Sequence, residues 1–318
     1  MSGVGGDRML TEAGYQNAST DNRHKILDGR ALAADLRRQI IPQIEELIKA
    51  GFRPNLVSLS IGETDASRLY VRNQRRAAEN LRIGFAEQVL DTGIEVDQLL
   101  RVIQGLNADP RVTGIIVQRP IPSHLPIKTV QAAVHPLKDV EGMHPSSIGN
   151  IVYNDLVMGP CTAVAAVELL KRTKLRLQGL EVVVIGHSEI VGKPIAFLLM
   201  SEGATVTVCH HMTRNLAIHS RQADAVFVAV GQAGLVTGDM IKPGAALIDI
   251  GINRVMGADG GVKLIGDADF DSCVEVAGWI TPVPGGVGPV TVAIFMRNAV
   301  TAATLVKERY AQTPPSGF

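Results

Sequence analysis

Cysteine is scarce: Cys161, Cys209 and Cys273 are the only three in 318 residues, too few and too widely spaced for a disulfide framework or a paired zinc site. That points to a reducing compartment, and a cytoplasmic protein is expected. An excess of charge of one sign is also missing. Lys+Arg and Asp+Glu are both 31, so the chain lacks the basic surplus that a nucleic-acid or membrane-surface partner calls for. No run of 18 apolar residues goes unbroken, which argues against a membrane span. Residues 1–24 have no apolar signal-peptide segment and read as a flexible extension, and residues 312–318 read as a loose tail. What remains is 46% hydrophobic and 19% charged, ample material for a core. The length favours two domains, and a small molecule is the expected partner.

From Lys25 the chain alternates helical and strand patterns. "GRALAADLRRQIIPQIEELIKAG" reads as an amphipathic helix, "NLVSLSIG" as a buried strand and residues 67–85 as a helix. "AEQVLD", "EVDQLLRVIQGLNAD" and "VTGIIVQRP" continue as strand, helix, strand. After the "GPCTAVAAVELLKRT" helix a second series follows: "EVVVIG", "PIAFLLMSEG", "TVTVCH", "AVFVAVG" and "AALIDIGIN". This order predicts an α/β fold with mostly parallel sheets and ligand loops at the carboxyl ends of the strands. The final apolar helix, "GPVTVAIFMRNAVTAATLVKERY", is expected to pack back on the first domain. That places one domain at 25–158, completed by 285–311, and a nucleotide-type domain at 159–284.

Five stretches carry candidate chemistry. In "VVVIGHSEIVGKP", Gly186 and Gly192 flank Ser188 between a strand and a helix, a turn suited to a phosphate at a helix N-terminus. A plain tight turn is an equally good reading of the spacing. "TVCHHMTRN" puts His210, His211, Thr213 and Arg214 at a strand end where an acid would select NAD; its absence favours the 2′-phosphate of NADP. Gln118 in "IVQRPIPSHL" can donate and accept at once, while Asp139 and Glu141 in "HPLKDVEGMHP" can pair with a protonated ring edge or cap a turn. "TPVPGGVGPVT", with Pro284, Gly285 and Gly286, is a side-chain-poor loop that lets backbone approach a ligand, or a hinge.

Together with the Ser67…Tyr70 helix, "GPCTA", "VAVGQAG" and "IDIGIN", these strings closely resemble the bifunctional methylenetetrahydrofolate dehydrogenase/methenyltetrahydrofolate cyclohydrolase family, from about Lys25 to Val306. The resemblance implies an N-terminal α/β folate-site domain, a Rossmann-like NADP-binding domain and a homodimer. It implies folate contacts by Ser67, Tyr70, Gln118, Asp139, Glu141 and the 284–286 loop. Cofactor contacts would fall to Gly186, His187, Ser188, Ile190, His210, His211, Thr213, Val230, Gly231, Ile252 and Thr291, with NAD as the other possible cofactor.

The family's proton-handling lysine, four residues after the tyrosine, is here Gln74, whose amide can orient water but not exchange protons. Methylenetetrahydrofolate oxidation is therefore expected to persist and methenyl hydrolysis to be weak or lost, with Tyr70, Gln74, Gln118 and Glu141 as the catalytic set. Other departures are Glu141 for aspartate, Arg119 for an apolar residue, Ala163 for proline, His187 for a frequent arginine, and two residues that read as inserted before Gly84. They keep two alternatives open: a modified one-carbon carrier or other small molecule as substrate, or a silent folate-binding paralogue.

Overall fold

The computed structural model describes residues 20–63, 65–257 and 260–312. The chain divides into two compact units. One contains Ala34–Cys161 together with the described residues from Val292; the other contains the described residues up to Ala33 together with Thr162–Thr291. Residues 25–33 and 285–291, expected with the folate-site domain, group with the second of these units instead.

In the first unit, α1 (Gly29–Lys49, which begins in the other unit) leads into β1 (Asn55–Ile61), α2 (Asp65–Asn80), β2 (Gly84–Leu90), α3 (Val96–Ala108) and β3 (Gly114–Val117). The three strands are parallel in the order β2-β1-β3. The apolar run of β1 is buried from Leu56 to Ile61, as expected for a central strand covered on both faces. Leu59, Leu99, Ile103 and Ile115 pack at the heart of its core. Two short helices, α4 (Ile127–Ala133) and α5 (Pro145–Val152), lie in stretches for which the sequence pattern gave no assignment. The helix expected at 67–85 stops at Asn80, and Arg82 takes a left-handed φ of 61°. Arg82 thus occupies the helix-terminating conformation usually given to glycine, and Ile83 turns into the core before β2 begins at Gly84. Residues 81–83 link α2 to β2.

The other unit carries α6 (Cys161–Lys171), β4 (Glu181–Ile185), α7 (Gly192–Ser201), β5 (Thr205–Cys209), α8 (Leu216–Ser220), β6 (Ala225–Val228) and β7 (Ala246–Asp249). An antiparallel pair, β8 (Asn253–Met256) with β9 (Val262–Ile265), follows, then α9 (Phe270–Val276) and β10 (Trp279–Ile280). The five-stranded sheet is parallel in the order β10-β7-β6-β4-β5, so the chain reverses direction across the sheet between β4 and β6. Open α/β sheets bind ligands at such a switch point, beyond the carboxyl ends of the strands.

The terminal helix, α10 (Val287–Gln312), belongs from Val292 onward to the unit of the three-stranded sheet. Its Val287–Tyr310 stretch is long and apolar enough to cross a membrane by composition, but 61% of the stretch is buried inside the protein, as in a core helix.

Candidate active site

The parallel sheet of the first unit brings Gln118 to the end of β3, fully buried beside β1 and α2. Its Nε2 donates to Ser58 Oγ at 2.9 Å and to Gln74 Oε1 at 2.7 Å, using both amide protons. Gln74, itself buried, donates in turn to Tyr70, one helical turn earlier on α2. The phenol of Tyr70 is pushed up to about 12, by desolvation first and then by the carboxylate of Glu141 and the thiol of Cys161, with the bond from Gln74 partly offsetting them. Its ring remains about half exposed, so an aromatic face is offered to solvent above the buried amide pair.

Glu141 reaches this cluster because residues 139–141 run beside β3, an outer strand of its sheet; Ile115 and Asp139 form an isolated parallel bridge. The backbone N–H of Val117, on the side of β3 away from β1, donates to the Glu141 carboxylate. The carboxyl is nevertheless raised to about 7, because burial and then the charge of Asp139 outweigh Arg119 and that hydrogen bond. Asp139, expected as a substrate contact or a turn cap, is buried and accepts from Met143 N (3.1 Å), His144 N (2.7 Å) and Ser147 Oγ (2.8 Å). These bonds cap the entry to α5 and engage the side chain in holding the loop. Ser67 lies on α2, and its side chain falls outside the described residues.

Residues that sequence reasoning passed over hold this loop in place. Lys138 is buried and donates to the carbonyls of Leu106, Asn107 and Asp109 at 3.0, 2.7 and 2.8 Å, closing the carboxyl end of α3. Asn298, buried on α10, donates to Val140 O (3.0 Å) and Gly159 O (3.1 Å). Ser58 was hidden among the apolar residues of β1, where Ser60 is buried as well. The one signal in the sequence was a polar residue set inside each apolar run.

The expected cofactor residues other than Thr291, which lies on α10, gather at the carboxyl ends of β4, β5, β6 and β7 in the other unit. Gly186 takes a φ of 113°, and a Cβ there would lie 2.2 Å from the carbonyl oxygen of Ala229, so the β4 and β6 loops meet only because the position is glycine. Ser188 Oγ accepts from Val191 N at 3.2 Å and Gly192 N at 3.4 Å, where α7 begins. The rings of His187 and His210 lie 4.8 Å apart, with His211 5.8 Å from His210 and 6.2 Å from His187. Thr213 closes that turn by accepting from His210 N at 2.9 Å. Val230, Gly231 and Ile252 are exposed, and Ile190 is half-buried. Thr291 turns back to bond Val287 O at 3.1 Å. Pro284, Gly285 and Gly286 also lie in this unit, with Gly29 N donating to Gly285 O at 3.0 Å; they do not join the Tyr70 cluster within one unit. Among the described residues, no group of three or more His, Cys, Asp or Glu side chains could hold a metal ion.

Comparison with known proteins covers both units. The tetrahydrofolate dehydrogenase/cyclohydrolase catalytic-domain model matches residues 27–141, and the NAD(P)-binding-domain model of the same name matches residues 160–307. Bifunctional protein FolD 2 of Mesorhizobium japonicum is 64% identical over 263 residues, covering 83% of this chain and 86% of the relative. Bifunctional protein FolD of Rhodobacter capsulatus is 58% identical over 279 residues, covering 88% and 93%. Among solved structures, the bifunctional FolD dehydrogenase/cyclohydrolase of Campylobacter jejuni superposes with a TM-score of 0.84 at 38% identity, over 88% of this chain and 98% of that one. The Trypanosoma brucei methylenetetrahydrofolate dehydrogenase-cyclohydrolase, complexed with NADP cofactor and inhibitor, gives 0.83 at 35%, over 91% and 98%. With both of its domain types matched in order along the sequence, the chain belongs to the tetrahydrofolate dehydrogenase/cyclohydrolase family.

Proposed function

We propose that this protein oxidises 5,10-methylenetetrahydrofolate to 5,10-methenyltetrahydrofolate with NADP, and that it hydrolyses the methenyl product weakly or not at all. The observation that carries this reading is the Tyr70–Gln74–Gln118 array, intact in a family member but built of amides where proton transfer would require a titrating group. When bound, NADP would supply the electron-pair acceptor at its nicotinamide. The residues at the strand ends suit it: a glycine turn too tight for a Cβ at the mouth of β4, three neighbouring imidazoles, and no acid after β5 to repel a 2′-phosphate.

The chain's own contribution to oxidation is positioning. No proton has to move as the methylene carbon loses its hydride, so orientation dominates. Tyr70 offers a ring face to the aromatic parts of the folate, Gln118 retains its carbonyl oxygen as an acceptor, and Glu141 presents a carboxyl for the aminopyrimidine edge. Hydrolysis is different, since water must be deprotonated and a ring nitrogen protonated. Gln74 holds no exchangeable proton for either task, and the phenol of Tyr70 is too weak an acid at about 12 to replace it. A homodimer in the cytoplasm is part of the same proposal, by likeness to the family.

The test is an absorbance assay with methylenetetrahydrofolate and either NADP or NAD, following methenyl and reduced cofactor separately. Equimolar, persistent methenyl and NADPH support the reading. Absence of cofactor reduction with either nucleotide would favour a silent paralogue or a different carrier.

A further inference from the structure

Two buried carboxylates outside the Tyr70 cluster connect the loops at the carboxyl ends of β6 and β7. Asp267 is fully buried; its Oδ2 accepts from Val230 N at 2.6 Å and Gly231 N at 2.9 Å, and its Oδ1 accepts from Asn253 Nδ2 at 2.8 Å. Asp249, the last residue of β7 and also buried, accepts from Gly251 N at 2.9 Å, Asp267 N at 3.1 Å and Ala268 N at 2.8 Å. Five backbone N–H groups from three separate loops therefore converge on two side chains. Gly266 makes the approach possible: a Cβ there would lie 1.8 Å from Asp249 Oδ2.

The two carboxylates are chained in one direction. Asp249 fixes the backbone that carries Asp267, and Asp267 then fixes the Val230–Gly231 turn and the Asn253 amide next to Ile252. Charge-assisted bonds to backbone N–H groups are short and directional, so they set the turn more tightly than neutral acceptors would. Val230 and Ile252 remain exposed at the outer ends of these loops.

We infer that Asp249 and Asp267 are positioning residues for the dinucleotide, acting through the 230–231 and 251–253 loops without touching it. The inference rests on the NADP reading above. It assigns cofactor affinity, not the chemical step, to the two carboxylates.

The discriminating variant is Asp267→Asn. An amide group at that place presents N–H toward N–H at one of its bonds and keeps the side-chain volume. The expected result is a rise of about tenfold or more in the KM and Kd for NADP, with kcat at saturating cofactor and the KM for methylenetetrahydrofolate little changed. Hydrogen exchange supplies a readout independent of turnover: the amides of Val230 and Gly231 should lose protection while those of β4 and β6 keep theirs. Asn253→Ala, which removes one donor and no charge, should give a smaller change in the same direction. Gly266→Ala, which displaces Asp249 from the opposite side, should raise the cofactor KM as Asp267→Asn does. Should Asp267→Asn fail to fold, these two variants decide the matter. Unchanged cofactor KM, or a parallel loss in kcat and in both KM values, would overturn the inference. Failure of the unmodified protein to bind NADP or NAD would overturn the functional reading instead.

Discussion

Gln118 donates to Gln74 at 2.7 Å, and the direction of that bond fixes how the second amide sits. With Oε1 of Gln74 taken by Gln118, its Nε2 faces Tyr70, and the phenol receives a hydrogen bond without receiving a charge. A neutral donor therefore stands at the centre of the cluster. Its orientation is imposed from β3 and β1, through Gln118 and Ser58.

On the proposed reading of that arrangement, methenyltetrahydrofolate is the expected terminal product. Gln74→Lys is expected to raise its hydrolysis by about a hundredfold or more, the usual scale of a positioned acid–base group. The measurement is the decay of methenyl absorbance with and without the protein. Hydrolysis by the unmodified protein far above the spontaneous rate would show that another group handles the protons.

Cofactor preference should rest on the loop after β5, where His210, His211 and Arg214 stand and no acid does. The ratio of kcat/KM for NADP over NAD is expected to exceed one, and Arg214→Ala is expected to lower it. A preference of the unmodified protein for NAD would reverse the assignment.

Glu141 predicts two trends of opposite sign. Its carboxyl titrates at about 7 in the fold against an ordinary 4.5, so the folded protein takes up this proton before the unfolded chain does. Its contribution to stability is thus unfavourable above pH 7 and is relieved as the pH falls from 7 toward 4.5. Substrate capture through the ionised carboxylate instead improves as pH rises through 7. Melting temperature and kcat/KM for the folate, scanned over the same buffers, should move in these opposite directions.

Arg119 favours the ionised form of Glu141, which makes the two substitutions non-additive. Glu141→Asp alone should not improve folate turnover, whereas Arg119→Leu with Glu141→Asp should. A double-mutant cycle on kcat/KM reads the coupling directly; purely additive effects would remove it.

Asn298→Leu should destabilise the protein by about 2–5 kcal/mol, because it strips the donor from two carbonyls in a buried setting. Denaturant unfolding measures this. The loss should exceed that of an exposed substitution on the same helix, such as Glu308→Ala.

The alternation of apolar and helical stretches was enough to read the strands of both parallel sheets except the two-residue β10, because buried parallel strands require continuous apolar runs. The Gln118 position was legible for a related reason: a polar side chain at the end of such a run must find a partner. Gln74 stood out by its place one helical turn after Tyr70, where the family resemblance expects a lysine. Asp139 was ambiguous in the sequence, and its three donors settle it as the organiser of its loop. The helix after β1 was read too far, since nothing in "ENLRIG" announces that arginine, not glycine, will take the left-handed turn. Asp249 and Asp267 were invisible as a pair. Eighteen positions separate them, and the chain returns through the antiparallel β8–β9 pair to make them neighbours.

Lys138 gives the loop of Glu141 a chemical reporter of its own. Burial lowers its ammonium to about 8, so a sizeable share of the amine would be nucleophilic under mildly alkaline conditions. Three carbonyls and a nearly complete cover keep acylating reagents away from it. Its labelling rate, set against that of the exposed lysines, therefore counts how often the segment bearing Glu141 lifts off the end of α3. If folate fastens that segment, Lys138 should label more slowly in its presence.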